Sequence, residues 1–269
     1  MTSAVDICFS LVDLCGLCFP VENRQHRCRF DYCQLSFHLR YLSKQSFFRE
    51  EKSGMPNTKF IIHAYDDVEP IDVGATFGVL SMAKRVDPGI EMALVANKAG
   101  PVRLSNGLEI IAPYSVTNCP AGDVLMILGG AAWPQVSKDE ETLEFIRSFA
   151  RNGIVASVCT GALILAGAGL LEGKSATTRR FAPAGIETPL AQMQKLYPGV
   201  KGTEARFVDS GTVVTGGGVT LAVDTTLHLI GRLRGADVAK ETARIIEYRW
   251  SGNDGAFSDA ANTPKTAAA

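Results

Sequence analysis

The chain has 269 residues, of which 46% are hydrophobic and 20% charged, so it has ample material for a globular core. Its net charge of −1 lacks the basic excess that binding to nucleic acid or to an anionic membrane requires. No apolar stretch is long enough and free enough of charge to span a bilayer, and beyond Cys33 the sequence has only Cys119 and Cys159. We therefore expect a cytoplasmic protein without a disulfide framework that binds neither nucleic acid nor membrane.

Residues 1–54 differ from the rest of the chain in being rich in Cys, Phe, Arg and Gln and in showing no sustained period. Cys15 and Cys18, with the cysteines and histidines that follow, do not have the spacing of a standard zinc finger, so we predict no metal. This segment is predicted to be a disordered or dispensable N-terminal extension. A folded domain is expected over residues 55–250, followed by a disordered tail at 251–269 that is small, polar and without period.

From Lys59 onward, short apolar runs rich in β-branched residues alternate with stretches of helical spacing. We predict strands at 59–65, 91–97, 123–128, 154–158 and 174–178, hairpins at 101–112 and 204–215, and helices at 72–83, 138–151, 161–168, 187–196, 219–233 and 237–248. This alternation predicts an α/β fold with a mostly parallel sheet covered by helices on both faces. Ligands of such sheets bind at the carboxyl ends of the strands. We therefore expect the 66–72 loop, the Gly129-Gly130 turn and Cys159 to surround one cleft.

The stretch 153–169, GIVASVCTGALILAGAG, has the pattern of a nucleophile elbow. A buried strand stops at Cys159, the small residues Ser157 and Gly161 flank it, and a helix begins directly behind it, as in the strained G-x-S-x-G turn. A lone cysteine after a strand is more often structural, but the small flanks and the helix favour a nucleophile here. The positive end of that helix is expected to stabilise a thiolate.

Backbone glycines suggest where negative charge could be bound beside this cysteine. The N–H of Thr160 and a second N–H from the turn Gly129, Gly130 and Ala131 can form a small anion hole, although a plain strand-to-loop turn explains the glycine pair equally well. The 216–218 glycine triple lacks the G-x-G-x-x-G form of a nucleotide site. We predict instead that it brings the backbone, including Gly217, close to the cleft or to the elbow helix.

A nucleophilic thiol usually needs a partner that accepts its proton. His63 and His228 lie inside apolar stretches and are predicted to be satisfied core residues, which leaves a Cys–His pair poorly supported. Carboxylates after the first strand are better candidates, and Asp72 is the foremost of them. Its position at a predicted helix start is compatible with an N-cap or with a general acid or base whose pKa is raised, and the local pattern leaves both open.

Two segments, SVCTGALILAGAGLLEGKSATT (157–178) and VVTGGGVTLAVDTTLHLIGRLRG (213–235), closely resemble the ThiJ/PfpI superfamily of class I glutamine amidotransferase-like proteins. Within it they resemble the isonitrile hydratase subgroup. This resemblance covers residues 59–250 and implies a flavodoxin-like three-layer sandwich and a homodimer. It also implies that Cys159 is the catalytic thiol, Asp72 the acid and base, Thr160 the residue beside the thiol, and Asp224 the helix residue behind the site.

The resemblance further implies a lyase that hydrates a small-molecule isonitrile to an N-substituted formamide through a thioimidate on the cysteine, without a cofactor. Two alternatives stay open: a redox-sensing or small-molecule-binding protein that uses the same cysteine, and a glyoxalase-type enzyme acting on 2-oxoaldehydes, which the missing Cys–His pair makes less favoured. The sequence departs from the subgroup in lacking a proline after Gly74. It also departs in having Arg179 and Arg180 where many relatives have His-Trp, which affects the shape of the pocket and hence the substrate.

Overall fold

The computed structural model describes residues 55–252 and 255–256, and the strands below belong to that part of the chain. In chain order they are β1 (Thr58–His63), β2 (Ile90–Ala96), β3 (Gly100–Arg103), β4 (Glu109–Ala112), β5 (Tyr114–Ser115), β6 (Val124–Ile127), β7 (Ile154–Ser157), β8 (Ser175–Ala176), β9 (Lys201–Gly202), β10 (Phe207–Asp209) and β11 (Val213–Gly216). Seven of them form the main sheet in the order β10-β11-β7-β6-β1-β2-β5. All neighbours in this sheet are parallel except β10 and β11.

Helices surround this sheet and complete a three-layer α/β sandwich. They are α1 (Pro70–Val73), α2 (Val79–Val86), α3 (Trp133–Val136), α4 (Glu140–Ala150), α5 (Gly161–Gly167), α6 (Pro189–Leu196), α7 (Ala222–Arg234) and α8 (Ala236–Ile245). Helices α2, α7 and α8 pack together as one group, whereas α5 contacts α3, α4 and α6 in a second group. The flavodoxin-like architecture implied by the resemblance is therefore confirmed.

The central strands are apolar because both of their faces are covered. In β1 and β6 every residue from Phe60 to Ile62 and from Val124 to Ile127 is 0% exposed, as expected for strands buried in a parallel sheet. Their register aligns His63 of β1 with Ile127 of β6, and Ile127 with Ser157 of β7. Three neighbouring strands thus end at the same level, so the loops that follow them meet at one edge of the sheet, as predicted.

Several predicted boundaries differ from the structure for local reasons. The helix expected at 72–83 begins at Pro70, a residue whose fixed φ suits the first helical turn, and continues through a π-helical segment, Gly74–Gly78, into α2. The helix expected from Val219 begins with the 3₁₀ turn Val219–Leu221. Strand β5 and helix α3 were not predicted, since two and four residues are too short to show a period. Residues 1–54 and most of the predicted tail lie outside the described residues.

Candidate active site

The elbow at Cys159 has the strained backbone that its sequence pattern predicts. Cys159 has a φ of 51°, in the left-handed region that costs a non-glycine residue about 1–3 kcal/mol. Two hydrogen bonds hold it there: its N–H donates to the Gly217 carbonyl at 3.0 Å, and the Thr178 hydroxyl donates to its carbonyl at 2.6 Å. The segment containing the glycine triple therefore approaches the elbow backbone, as predicted.

Glycine is required at two positions around this elbow because helix α5 and the β6 loop pass very close to it. A Cβ atom at Gly161 would lie 2.3 Å from the Ile127 carbonyl oxygen, so the first turn of α5 can contact β6 only without a side chain there. A Cβ at Gly129 would lie 2.5 Å from the Thr160 nitrogen and 2.6 Å from the Cys159 Cβ. These approaches bring the β6 loop within contact distance of the thiol-bearing residue.

The thiol of Cys159 is buried, with only 2% of the residue exposed. Burial, and after it the nearby charge of Asp72, raise the pKa of Cys159 to about 12 against the N–H groups of Val219 and Thr160 and the charge of Arg179, which lower it. The Thr160 N–H at the helix end therefore does favour the thiolate, as expected, but its effect is smaller than that of burial. Removal of water from the sulfur outweighs the backbone donors, and the cysteine is a neutral thiol at pH 7.

Asp72 lies in the third position of α1 and is completely buried. Its Oδ2 accepts the Gly129 N–H at 2.9 Å, while its Oδ1 has no hydrogen-bond partner among the described residues. Burial raises the pKa of Asp72 to about 7, and the Gly129 N–H and the nearby Cys159 oppose that rise. The N-cap alternative is wrong, because Glu69 occupies the N-cap position. The carboxylate lies instead beside the thiol, with one oxygen available to accept a proton.

The turn Gly129, Gly130 and Ala131 lies at this site but does not provide the predicted second anion donor. The Gly129 N–H donates to Asp72, the Gly130 N–H to the Thr160 hydroxyl at 2.9 Å, and the Ala131 N–H to the carbonyl of Asp67 at 3.0 Å. All three donors are used within the fold. The turn instead positions the carboxylate and the residue beside the thiol.

The second donor comes from Val219, which the sequence analysis did not identify. Its N–H, with that of Thr160, faces the Cys159 sulfur and lowers the pKa of the thiol. Val219 adopts a φ of 57°, a strained conformation for a β-branched residue. A donor created by backbone strain has no side-chain signature, and the preceding glycine triple was the only signal in the sequence that pointed to this segment.

Tyr65 is a second residue near the pair that the pattern did not single out. Its hydroxyl donates to the Leu128 carbonyl at 3.1 Å. Burial raises the pKa of Tyr65 well above its usual value, and the charges of Asp72 and Cys159 contribute to the same rise. Tyr65, which follows β1, therefore lies close enough to Asp72 and Cys159 for their charges to affect it, and its hydroxyl group is neutral.

The structure does not bring Asp224 into hydrogen-bond contact with this pair. Asp224 is buried in the first turn of α7, where its Oδ2 accepts the Tyr248 hydroxyl at 2.8 Å. Burial raises the pKa of its carboxyl group, and the Tyr248 hydroxyl and the Arg206 charge oppose that rise. Within the described residues, the contact of Asp224 is thus with the segment after α8.

The two histidines are core residues, as expected, and each has a partner at Nε2, whereas the buried Nδ1 of each has none among the described residues. His63 is fully buried and shares a hydrogen bond of 3.0 Å with the Asn97 side chain. His228 stacks on Phe207 and lies 2.7 Å from an oxygen of Asp209. The described part of the chain therefore contains no Cys–His pair at Cys159.

No group of three or more His, Cys, Asp or Glu side chains is arranged to hold a metal ion in residues 55–252 and 255–256. In the same residues no helix combines the length and the apolar character needed to cross a membrane.

The fold and the site together place the chain among α/β proteins that have a cysteine at a nucleophile elbow beside a buried carboxylate. The sequence matches the DJ-1/PfpI family over residues 58–232. The chain therefore belongs to the DJ-1/PfpI (ThiJ) family, and the resemblance found in the sequence is confirmed.

Relatives of the chain include an enzyme and a regulator. It is 35% identical to isonitrile hydratase of Pseudomonas putida over 187 residues, which cover 68% of this chain and 75% of that protein. It is 32% identical to the HTH-type transcriptional regulator GbdR of Pseudomonas aeruginosa over 145 residues, which cover 54% of this chain but 37% of the regulator. Family membership alone therefore leaves both classes of function open.

Solved structures share the fold. A THiJ/PfpI family protein from Pseudomonas syringae superposes with a TM-score of 0.63 and 26% identity, covering 78% of this chain and 83% of that one. DJ-1beta of Drosophila melanogaster superposes with a TM-score of 0.62 at 19% identity, covering 72% of this chain and all of that one. At that identity the second likeness shows the fold alone.

Proposed function

We propose that the chain is an isonitrile hydratase-like enzyme, which adds water to an isonitrile to give an N-substituted formamide. The observation that carries this proposal is the buried carboxylate of Asp72, whose Oδ1 has no hydrogen-bond partner in the described residues, next to Cys159 at the strained elbow. Burial raises the pKa of this carboxyl group to about 7. A carboxylate tuned to neutral pH next to a thiol is suited to general acid–base work on a nucleophile. The 35% identity to isonitrile hydratase of Pseudomonas putida supports the choice of reaction.

In the first half of the proposed reaction, the sulfur adds to the terminal carbon of the isonitrile. The Asp72 carboxylate takes the thiol proton, the sulfur forms a bond to that carbon, and Asp72 returns the proton to the same carbon. The product is a thioimidate on Cys159. The N–H groups of Thr160 and Val219 stabilise the sulfur while it is negative, since they already face it in the resting protein.

Water completes the reaction by adding to the thioimidate carbon. Asp72 takes one proton from the water as its oxygen bonds to carbon, and passes that proton to the nitrogen. Asp72 then takes the hydroxyl proton as the carbon–oxygen double bond forms and the carbon–sulfur bond breaks. The proton returns to the sulfur, so the products are the formamide, a neutral thiol and an ionised Asp72.

A redox-sensing role for the same cysteine is the alternative from another class. Susceptibility to oxidation follows exposure and thiolate character, whereas Cys159 is 2% exposed and its pKa is raised. These properties favour the enzyme. Glyoxalase-type chemistry is less favoured because Asp72, and not a histidine, is the proton acceptor beside the thiol.

The remaining expectations accompany this proposal. We propose that the enzyme acts in the cytoplasm on a small molecule, without a cofactor, and as a homodimer. We also propose that residues 55–250 form the catalytic domain, with 1–54 a dispensable extension and 251–269 a disordered tail. Each of these rests on the sequence analysis.

The proposal is tested by incubating the full chain with benzyl isonitrile and following the formation of N-benzylformamide by chromatography. We expect turnover by the wild type and its loss in Cys159→Ala. Cys119→Ala is the matched control, because Cys119 is the other free cysteine of the described residues and its thiol donates to the Pro120 carbonyl. Substantial turnover by Cys159→Ala, or none by the wild type with any alkyl or aryl isonitrile, contradicts the proposal.

A further inference from the structure

Arg179 is held beside the elbow by contacts on both sides of its backbone and along its side chain. The residue before it, Thr178, donates to the Cys159 carbonyl at 2.6 Å, and the Arg179 carbonyl accepts the Leu190 N–H at 3.2 Å. Its aliphatic stem lies directly over Gly218, where an added Cβ would lie 2.4 Å from the Arg179 Cγ. The stem therefore lies next to Gly218, and the residue after Gly218 is Val219, whose N–H faces the Cys159 sulfur.

The guanidinium of Arg179 has no hydrogen-bond or ion-pair partner among the described residues. Its Nε is buried and unpaired, although the residue as a whole is partly exposed and can meet a solute. The Nε of the neighbouring Arg180 is buried in the same way, but the guanidinium of Arg180 has partners: it lies 3.5 Å from a carboxylate oxygen of Glu204 and 4.6 Å from the centre of the Phe181 ring. A buried donor without a partner is costly unless a ligand completes it.

The charge of Arg179 also reaches the reacting groups. It lowers the pKa of both Asp72 and Cys159, so the guanidinium lies within electrostatic range of the two. One small molecule could therefore bind to Arg179 at one end and present an electrophilic carbon to the Cys159 sulfur at the other.

We propose that Arg179 is a specificity-determining residue that binds a carboxylate on the substrate, so that the preferred isonitriles carry a carboxylate. This inference rests on the proposed function and narrows its substrate class. A planar guanidinium binds a carboxylate with two parallel hydrogen bonds, which fixes the orientation of the ligand as well as its affinity. The bound carboxylate would satisfy the donors of Arg179 and aim the other end of the molecule at Cys159.

The first test compares isocyanoacetate with its methyl ester, which has the same skeleton without the charge. We expect the wild type to prefer the acid in kcat/KM by about ten- to hundredfold, the range of a charge-assisted hydrogen bond. Arg179→Gln should lose this preference while still converting the ester. Arg180→Gln, which removes the same charge from the next position, should keep it. An ester preference in the wild type, or an equal loss for both substrates in Arg179→Gln, overturns the inference and leaves the proposed function standing.

A second test does not depend on turnover. It therefore distinguishes a failure of the proposed function from a failure of the proposed carboxylate site at Arg179. Anionic iodoacetate and neutral iodoacetamide alkylate thiols to give products that peptide mass spectrometry distinguishes, and Cys119 provides an internal reference. We expect the ratio of iodoacetate to iodoacetamide labelling to be about tenfold higher at Cys159 than at Cys119, and to fall in Arg179→Gln. If neither isonitrile is converted, the proposed function fails while this ratio still decides the anion site. A ratio equal at both cysteines and unchanged by the substitution overturns the site.

Discussion

Replacing Asp72 with Asn removes an ionisable group that the fold buries completely, while an amide oxygen can still accept the Gly129 N–H. Burial raises the pKa of Asp72 from 3.8 to about 7. The folded state thus holds the proton more tightly than the unfolded chain does. Stability from this group is full below about pH 4 and is lost as the pH rises through 7. At about 1.4 kcal/mol for each pH unit between the two pKa values, the loss approaches about 4 kcal/mol.

Asp72→Asn does not have this loss, so its free energy of unfolding should increase relative to that of the wild type as the pH rises. We expect the difference in the free energy of unfolding to move in favour of the variant by about 2–3 kcal/mol between pH 5 and pH 8. The new amide adds donors whose cost does not depend on pH, so the change between the two pH values is the quantity to compare. Urea denaturation of the full chain at each pH measures it.

Asp66→Asn is the control, because it removes an exposed carboxylate in the loop before α1, where Asp66 accepts the Arg103 N–H. The control should differ from the wild type by less than about 0.5 kcal/mol at both pH values. A difference between Asp72→Asn and the wild type that stays constant from pH 5 to pH 8, or moves in favour of the wild type, would refute the burial argument.

Three other outcomes follow from the same geometry. The kcat/KM for an isonitrile should rise about tenfold per pH unit up to about pH 7 and then level off, because Asp72 must be ionised to accept the thiol proton; a rate independent of pH from 5 to 8 contradicts this. Gly129→Ala should cost about 1–3 kcal/mol and slow turnover, because the new Cβ would overlap Thr160, and urea denaturation with a rate assay measures both. Asp87→Ala should cost about 3–5 kcal/mol by urea denaturation, since it leaves the buried guanidinium of Arg234 without the carboxylate that it contacts at 2.8 and 3.0 Å; pairing it with Arg234→Met should recover part of the loss.

The order of strands and helices could be predicted from the sequence because burial on both faces leaves a local signature. The apolar, β-branched run at 154–158 and the small residues behind it correspond to β7 and α5 within a residue or two. The elbow could be recognised from the same stretch, because the strand, the cysteine and the helix follow one another within 153–169, whereas the β6 carbonyl that requires Gly161 is distant in sequence. Patterns of this kind extend over ten to twenty residues and need no knowledge of the tertiary structure.

The allocation of hydrogen bonds at the site could not be predicted, because it depends on which distant loops meet. Gly129 and Asp72 are 57 residues apart, and only their contact shows that this N–H is used by a carboxylate and is not available to an anion. Val219 acquires its role through a positive φ that no pattern of side chains in the sequence indicates. The stretch around the elbow indicates that the helix end lowers the pKa of Cys159, but not the larger rise caused by desolvation, which is a property of the whole fold.

The pKa values of the two groups explain how a buried thiol can be unreactive in the resting protein and reactive towards a substrate. At pH 7 the proton stays on Cys159, whose pKa is about 12, and Asp72 is near its midpoint. The pair thus contains a carboxylate base and a protonated thiol. Oxidation of a cysteine requires an exposed thiolate, and Cys159 is neither exposed nor a thiolate in the resting protein. The pKa of Cys159 is high because a negative charge on a buried sulfur is unfavourable. When the sulfur forms a bond to an electrophilic carbon, that charge no longer stays on the sulfur, so the proton can leave. The burial that makes Asp72 unfavourable for folding at neutral pH is thus the property that the proposed reaction requires of its base.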